Sequence, residues 1–279
     1  MILADYHVHS SFSEDSDTPM EEQIEAAIAA GLKYICFTEH MDCDWPKDDG
    51  IMKGGAPLDK NIFELDTDAY LGHFRECREK YKDRIDIRFG VEYGFQPHLA
   101  EHNREYATRY PFDFIIGSQH LMNGVDVYYP ENFAAMSDRE AFRAYFESEL
   151  ESICLFDEYD VFGHLDYIVR YGKNGNKDYC SLDHSEVIDE ILKQLIKRGK
   201  GIEINTAGFR KLGNEPNPCA DILKRYHELG GEILTVGSDA HTSGTVAHEF
   251  DKARDILLTA GFTYYCIFRN RTPEFLSLL

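Results

Sequence analysis

Residues 2–9, Ile-Leu-Ala-Asp-Tyr-His-Val-His, form an apolar run that ends in two histidines one residue apart. Six more runs of the same kind follow: 34–40 (YICFTEH), 85–92 (IDIRFGVE), 113–120 (DFIIGSQH), 159–164 (YDVFGH), 201–206 (GIEINT) and 232–241 (EILTVGSDAH). Short apolar runs alternating with longer helical patterns predict βα units around a parallel sheet. Helix signals fall between them. Thr18-Pro19-Met20-Glu21 reads as an N-cap threonine, a proline at the first helical position and a capping-box glutamate, with the helix ending near Gly31. Further helices are expected over about 68–81, after Pro97, from Ser137-x-x-Glu140, over about 185–198, and from Pro218 to Gly230. A last helix precedes the run TYYCIF. Seven units in order, without a linker or repeat, predict one α/β domain over 1–279: a seven-unit β/α barrel. The stretch 43–65, with the lone tryptophan Trp45, is long for a connection and reads as a lid or specificity wall.

The strand ends carry one type of residue: His7 and His9, Glu39 and His40, Glu92, His120, His164, then Asp239 and His241. In parallel β/α folds the strand C-termini converge on one face, which carries the active site. Side chains at i and i+2 of a strand point the same way, about 6.5–7 Å apart. His7 and His9 can therefore serve one ion, and Asp239 and His241 the same ion or a neighbour. Imidazole and carboxylate without thiolate suit zinc, manganese or iron. So many ligands exceed the needs of one ion, so two or three divalent cations are implied, with Glu92 placed to bridge two. His73, His98, His102, His184, His227 and His248 fall on predicted helices or loops and read as structural.

Composition bounds the partners. Hydrophobic residues make up 43% of the 279, enough for a sizeable core, and no apolar stretch is long enough for a membrane span. The N-terminus lacks a secretory pattern, and seven scattered cysteines without a CxxC pair suit a reducing compartment, so a cytoplasmic protein is expected. A net charge of -21 excludes binding long nucleic acid through a basic face. It leaves room for a small anion, because bound cations reverse the local potential.

The segments Asp5-Tyr6-His7-Val8-His9-Ser10, Thr38-Glu39-His40, Gly117-Ser118-Gln119-His120, Gly163-His164-Leu165-Asp166 and Gly237-Ser238-Asp239-Ala240-His241 resemble the polymerase-and-histidinol-phosphatase (PHP) superfamily. Glu203-Ile204-Asn205-Thr206, Arg210 and the closing Phe268-Arg269-Asn270-Arg271 resemble its histidinol-phosphate phosphatase branch. The resemblance implies a distorted, TIM-like seven-unit barrel with three metal ions at the strand C-terminal face. It assigns the first ion to His7, His9, Glu92 and Asp239. The second goes to Glu92, His120 and His164, and the third to Asp15, His40 and His241. Glu14 and Asp17 stand beside Asp15 as alternatives.

For phosphate-ester hydrolysis, the expected nucleophile is a hydroxide bridging two cations about 3.5–4 Å apart. Arg210 and Arg170, just past the sixth and fifth strands, are candidates to grip the phosphate. Asp239, His241 or a metal-bound water would protonate the leaving alkoxide. Asp42, Asp166 and Tyr167 are at hand for an ammonium and an imidazole. The substrate expected is histidinol phosphate. Alternatives are a PHP phosphoesterase acting on nucleotides or short oligonucleotides, and a non-catalytic metal-binding protein.

Overall fold

Seven parallel strands form one sheet: β1 (Ala4–Val8), β2 (Tyr34–Met41), β3 (Asp86–Gly94), β4 (Phe114–Ser118), β5 (Val161–Phe162), β6 (Gly201–Asn205) and β7 (Leu234–Gly237). They come from a computed structural model that describes residues 1–45, 61–177 and 179–279. Their spatial order is their chain order. The ring closes where Val8 bridges Ala240 in parallel, with the Asp239 amide donating to the His7 carbonyl at 2.8 Å and the His9 amide to Ala240 at 2.9 Å. The result is a distorted, TIM-like (β/α)7 barrel. Strand β3 is buried at every position but its first, as a strand packed on both faces must be.

The helices between strands are amphipathic and lie outside. α1 is Met20–Ala29, α2 Thr67–Tyr81, α3 Ala100–Arg109, α4 Asp138–Leu155 and α5 Ser185–Lys197. α6 is Ala207–Leu212, α7 Ala220–Glu228 and α8 Phe250–Ala260. In α5, Val187, Ile188, Ile191, Leu192 and Leu195 make one buried stripe. The Ser137–Glu140 capping box at the start of α4 is formed in both directions. The start of α1 differs from expectation. Pro19 holds the N-cap position with no side-chain cap, and the Thr18 hydroxyl donates instead to the His241 carbonyl at 3.0 Å. A distant carbonyl at the barrel rim outcompeted the local helix end for that hydroxyl. Helix α7 likewise opens at Ala220 rather than at Pro218, with Cys219 as its N-cap.

The run TYYCIF is half of an antiparallel hairpin, β8 (Tyr264–Arg269) and β9 (Thr272–Ser277). Asn270 and Arg271 turn it with φ of 48° and 64°, the left-handed pair a two-residue hairpin turn requires. Most of the stretch read as a lid, residues 46–60, lies outside the described residues. Its two described ends meet beside β2: Trp45 packs on Phe63 at 4.4 Å, and the Asp42 amide donates to the Phe63 carbonyl. Among the described residues no helix is long and apolar enough to cross a membrane. No cysteine is in a disulfide; Cys154 and Cys180 are exposed and the other five buried.

Candidate metal centre

The strand ends bring six imidazoles and two carboxylates into one cluster, and the loop after β1 adds a third carboxylate, Asp15. Glu92 stands at its middle, fully buried near the end of β3 and in register with His40 of β2. Its two oxygens face different groups. Oε2 lies 3.1 Å from His7 Nε2, 3.5 Å from His9 Nε2 and 3.2 Å from His40 Nδ1. Oε1 lies 2.9 Å from His164 Nε2 and 3.3 Å from His120 Nε2. Asp239 Oδ1 sits 3.8 Å from His7 Nε2 and 3.6 Å from His9 Nε2. At the outer edge Asp15 Oδ2 is 3.1 Å from His241 Nε2 and 3.6 Å from His40 Nε2. Of the acids in the 14–17 stretch, Asp15 is the one that pairs with these imidazoles. His40 stands between two groups, one nitrogen toward Glu92 and the other toward Asp15.

The chemistry of this donor set suits cations. His9 is stacked between the rings of His40 and His241, at 4.3 and 4.2 Å, and its Nε2 is buried without a hydrogen-bond partner. A buried orphan nitrogen aimed at two carboxylates is costly unless something positive lies between them. Burial, together with the neighbouring imidazoles His241, His40 and His7, holds His9 well below its usual pKa, so it offers a lone pair. Burial works against ionising Glu92 and Asp239, yet the surrounding imidazoles, with Arg170 beside Asp239, hold both carboxyls well below their usual range. Two residues here also carry backbone strain. His164 has φ of 21° and Asp239 of 53°, and such non-glycine conformations gather at functional sites.

The PHP domain family profile matches residues 5–207. This chain belongs to the PHP family. Among PHP relatives, the histidinol-phosphatase of Lactococcus lactis subsp. lactis is 34% identical over 92% of this chain and 91% of its own length. A probable histidinol-phosphatase of Clostridium acetobutylicum is 33% identical over 90% and 91%. The crystal structure of histidinol phosphate phosphatase from Lactococcus lactis subsp. lactis, complexed with zinc, L-histidinol and phosphate, superposes with a TM-score of 0.87 at 32% identity, over 97% of this chain and 98% of that one.

Behind this PHP cluster lies a layer of residues whose roles were not evident from sequence. Glu203, fully buried on β6, faces His7 Nδ1 at 2.6 Å and accepts the His164 amide at 3.1 Å. Ser13 Oγ meets His9 Nδ1 at 3.1 Å. Asp42, available by position for a substrate ammonium, is instead committed to His120, its Oδ1 2.8 Å from Nδ1. Asp166 is likewise taken, by the Asn217 amide at 2.6 Å and the Cys219 amide at 2.9 Å. Glu39, at the end of β2, points away from the cluster and accepts from Ser10 and Ser13. Such partners fix a ligand's tautomer and ring angle. The glycines that precede these motifs are steric necessities: a Cβ on Gly237 would lie 2.3 Å from the Cβ of His7 and 2.2 Å from Glu203 Oε1.

The two arginines differ. Arg170 is 5% exposed, and its Nε, Nη2 and Nη1 donate to Asn217 Oδ1, Asn205 Oδ1 and Asp239 Oδ2 at 2.7, 3.1 and 3.3 Å. Among the described residues Arg210 hydrogen-bonds only to the backbone of the neighbouring turn, through the carbonyls of Ser238 and Asp239.

Proposed function

We propose that this chain is a cytoplasmic, metal-dependent phosphomonoesterase that hydrolyses L-histidinol phosphate to L-histidinol and phosphate. The observation that carries the reading is the two-sided environment of Glu92, with one oxygen toward His7 and His9 and the other toward His120 and His164. The substrate assignment rests on the phosphatases named above, and free cysteines fit a reducing compartment.

His7, His9, Glu92 and Asp239 would hold one cation, Glu92, His120 and His164 a second, and Asp15, His40 and His241 a third. Bound there, such cations supply Lewis acidity toward phosphoryl oxygens and make water nucleophilic at neutral pH. Arg170 is the residue that grips the phosphate, because three acceptors hold its guanidinium rigid against the cluster and ordering it costs no further entropy. Arg210 keeps the Ser238–Asp239 turn in place. Asp239, ionised at neutral pH, accepts a hydrogen bond from the attacking water and orients it. That water loses its proton to solvent as the new P–O bond forms, and the alkoxide takes one from solvent as the old P–O bond breaks. His241, paired with Asp15 through Nε2, is left to bind rather than to donate. Two aromatic walls flank the opening. Tyr167, Tyr171 and Tyr128 continue from His164 at centroid spacings of 4.7, 5.2 and 5.0 Å, and Phe63 with Trp45 stands beside His40. Either can stack on a substrate imidazole.

The test is phosphate release by the metal-replete chain from L-histidinol phosphate, nucleotides and p-nitrophenyl phosphate side by side. The reading expects a preference for histidinol phosphate of at least about tenfold, worth ~1.4 kcal/mol of transition-state binding. A faster reaction with nucleotides would make it a different PHP phosphoesterase, and no turnover of any ester would leave a metal-binding protein.

A further inference from the structure

On the outside of the barrel, α1 and α2 bring three unlike donors together. His73 and Cys77, four residues apart, share one face of α2, and Glu21 faces them from the first turn of α1. His73 Nε2 is 3.2 Å from Glu21 Oε2 and 3.6 Å from Cys77 Sγ, and all three donor atoms lie within 4.8 Å of one another. We propose that Glu21, His73 and Cys77 form a second, peripheral site for one thiophilic divalent cation of the zinc class, with a fourth position left to water.

Three features support it. In a tetrahedral zinc site, bonds of about 2.3 Å to sulfur and about 2.0–2.1 Å to nitrogen and oxygen put sulfur about 3.6 Å from nitrogen and nitrogen about 3.3 Å from oxygen. The spacings found match both. The other ring nitrogen, His73 Nδ1, lies 3.7 Å from the exposed carboxylate of Glu76. Once an ion takes the Nε2 lone pair the ring proton sits on Nδ1, where that carboxylate is placed to accept it. Finally, Arg84 just past α2 grips Glu25 of α1 through two 2.7 Å hydrogen bonds, which fixes the helices without using any of the three donors. Glu21 and His73 are each about a third exposed, so an ion has access, while Cys77 forms the floor at 1%. Lys80 pairs with the other oxygen of Glu21, Oε1, at 3.9 Å, so Oε2 faces His73. The Cys77 thiol, pushed up to about 11 by burial and the charge of Glu21, keeps its proton until an ion displaces it. Without an ion the same atoms make a plain Glu21–His73 ion pair over a core thiol.

Cobalt(II) separates the two. The candidate ligands at the rim include no thiolate, so a thiolate-to-cobalt charge-transfer band in the near ultraviolet separates the peripheral site from the rim, and its loss on changing Cys77 assigns it. Full-length wild-type chain titrated with cobalt should develop this band and saturate it with one ion per chain. Cys77→Ser and, at the more exposed position, His73→Ala should each lose the band and bind one zinc fewer by elemental analysis. Phosphate release by Cys77→Ser with the rim loaded should stay within about twofold of wild type, because none of the three donors is among the rim residues. Absence of the band in wild type at saturating cobalt, its survival in either variant, or equal zinc content in all three proteins would overturn the proposal.

Discussion

Buried carboxylates stand at both ends of this barrel, and the two ends use them in opposite ways. At the base, Asp113 accepts from the amides of Phe89 and Asn270 at 3.2 and 3.0 Å, and Asp160 from the Ile115 amide at 2.8 Å and Arg271 Nε at 2.5 Å. Each acid there has its donors within the chain. Burial still pushes Asp160 above its usual pKa, and Arg271 only partly offsets it. At the rim, Glu92 and Asp239 face imidazole nitrogens whose lone pairs need positive charge as much as the carboxylates do. A base of this kind is complete as folded. The rim, by its donor count, is complete only with cations.

Substitution at the two ends should therefore separate activity from stability. Removing a candidate rim ligand, as in His9→Ala or Asp239→Ala, should lower kcat by more than about 10³-fold. In the metal-free chain His9→Ala should keep its Tm, because its Nε2 has no partner to lose, whereas Asp239→Ala should lower it, because the buried Arg170 is left unpaired. An unchanged kcat in a metal-replete assay would remove the mechanism. Arg170→Ala should cost about 10²–10³ in kcat/KM, and Arg210→Ala less than about tenfold. The reverse ranking would move phosphate binding to Arg210. Gly237→Ala drives a methyl into His7 and Glu203, and should cost about 1–3 kcal/mol in denaturant unfolding together with most of the activity. Arg271→Ala at the base should lower unfolding stability by about 1–2 kcal/mol and leave kcat unchanged. A fall in kcat at constant stability would mean the base communicates with the rim.

The smallest effect concerns a third kind of acid. Glu149 of α4 is fully buried, and neither of its oxygens has a hydrogen-bond partner among the described residues. Burial, with the Asp166 charge nearby, pushes its carboxyl well above the usual 4.5. A raised folded pKa adds stability that is fully present below the unfolded value and is lost as pH rises toward the folded one. Glu149→Gln should match wild type in Tm near pH 4 and exceed it increasingly from pH 5 to 8. A gap independent of pH would mean that the carboxyl is solvated.

How much of this was legible in the sequence follows from the range of each signal. The seven strands could be read because each is a short apolar run, and the rim could be read because six of the seven runs end in a ligand-type residue. Asp15 lies on a loop with no periodicity, and only the resemblance to PHP proteins singled it out from Glu14 and Asp17. Glu203 was noted for its resemblance to phosphatases, but nothing local gives it a role; the barrel's interior makes it the partner of His7. Thr18 carries a local helix-cap signature, but its hydroxyl serves a carbonyl 223 residues away. The closing Phe268-Arg269-Asn270-Arg271, first noted for its resemblance to phosphatases, lies at the base and braces it. His73 was set aside as structural because Glu21, which faces it, sits on another helix.

The most direct trial of the rim is a metal count on chain purified without chelators, made in the Cys77→Ser background so that only the rim is read. Two or three divalent ions per chain are predicted, with at least two lost together in Glu92→Ala, since one carboxylate faces both groups of imidazoles. A stoichiometry below one, or a Glu92→Ala protein that keeps its full complement, would contradict the reading.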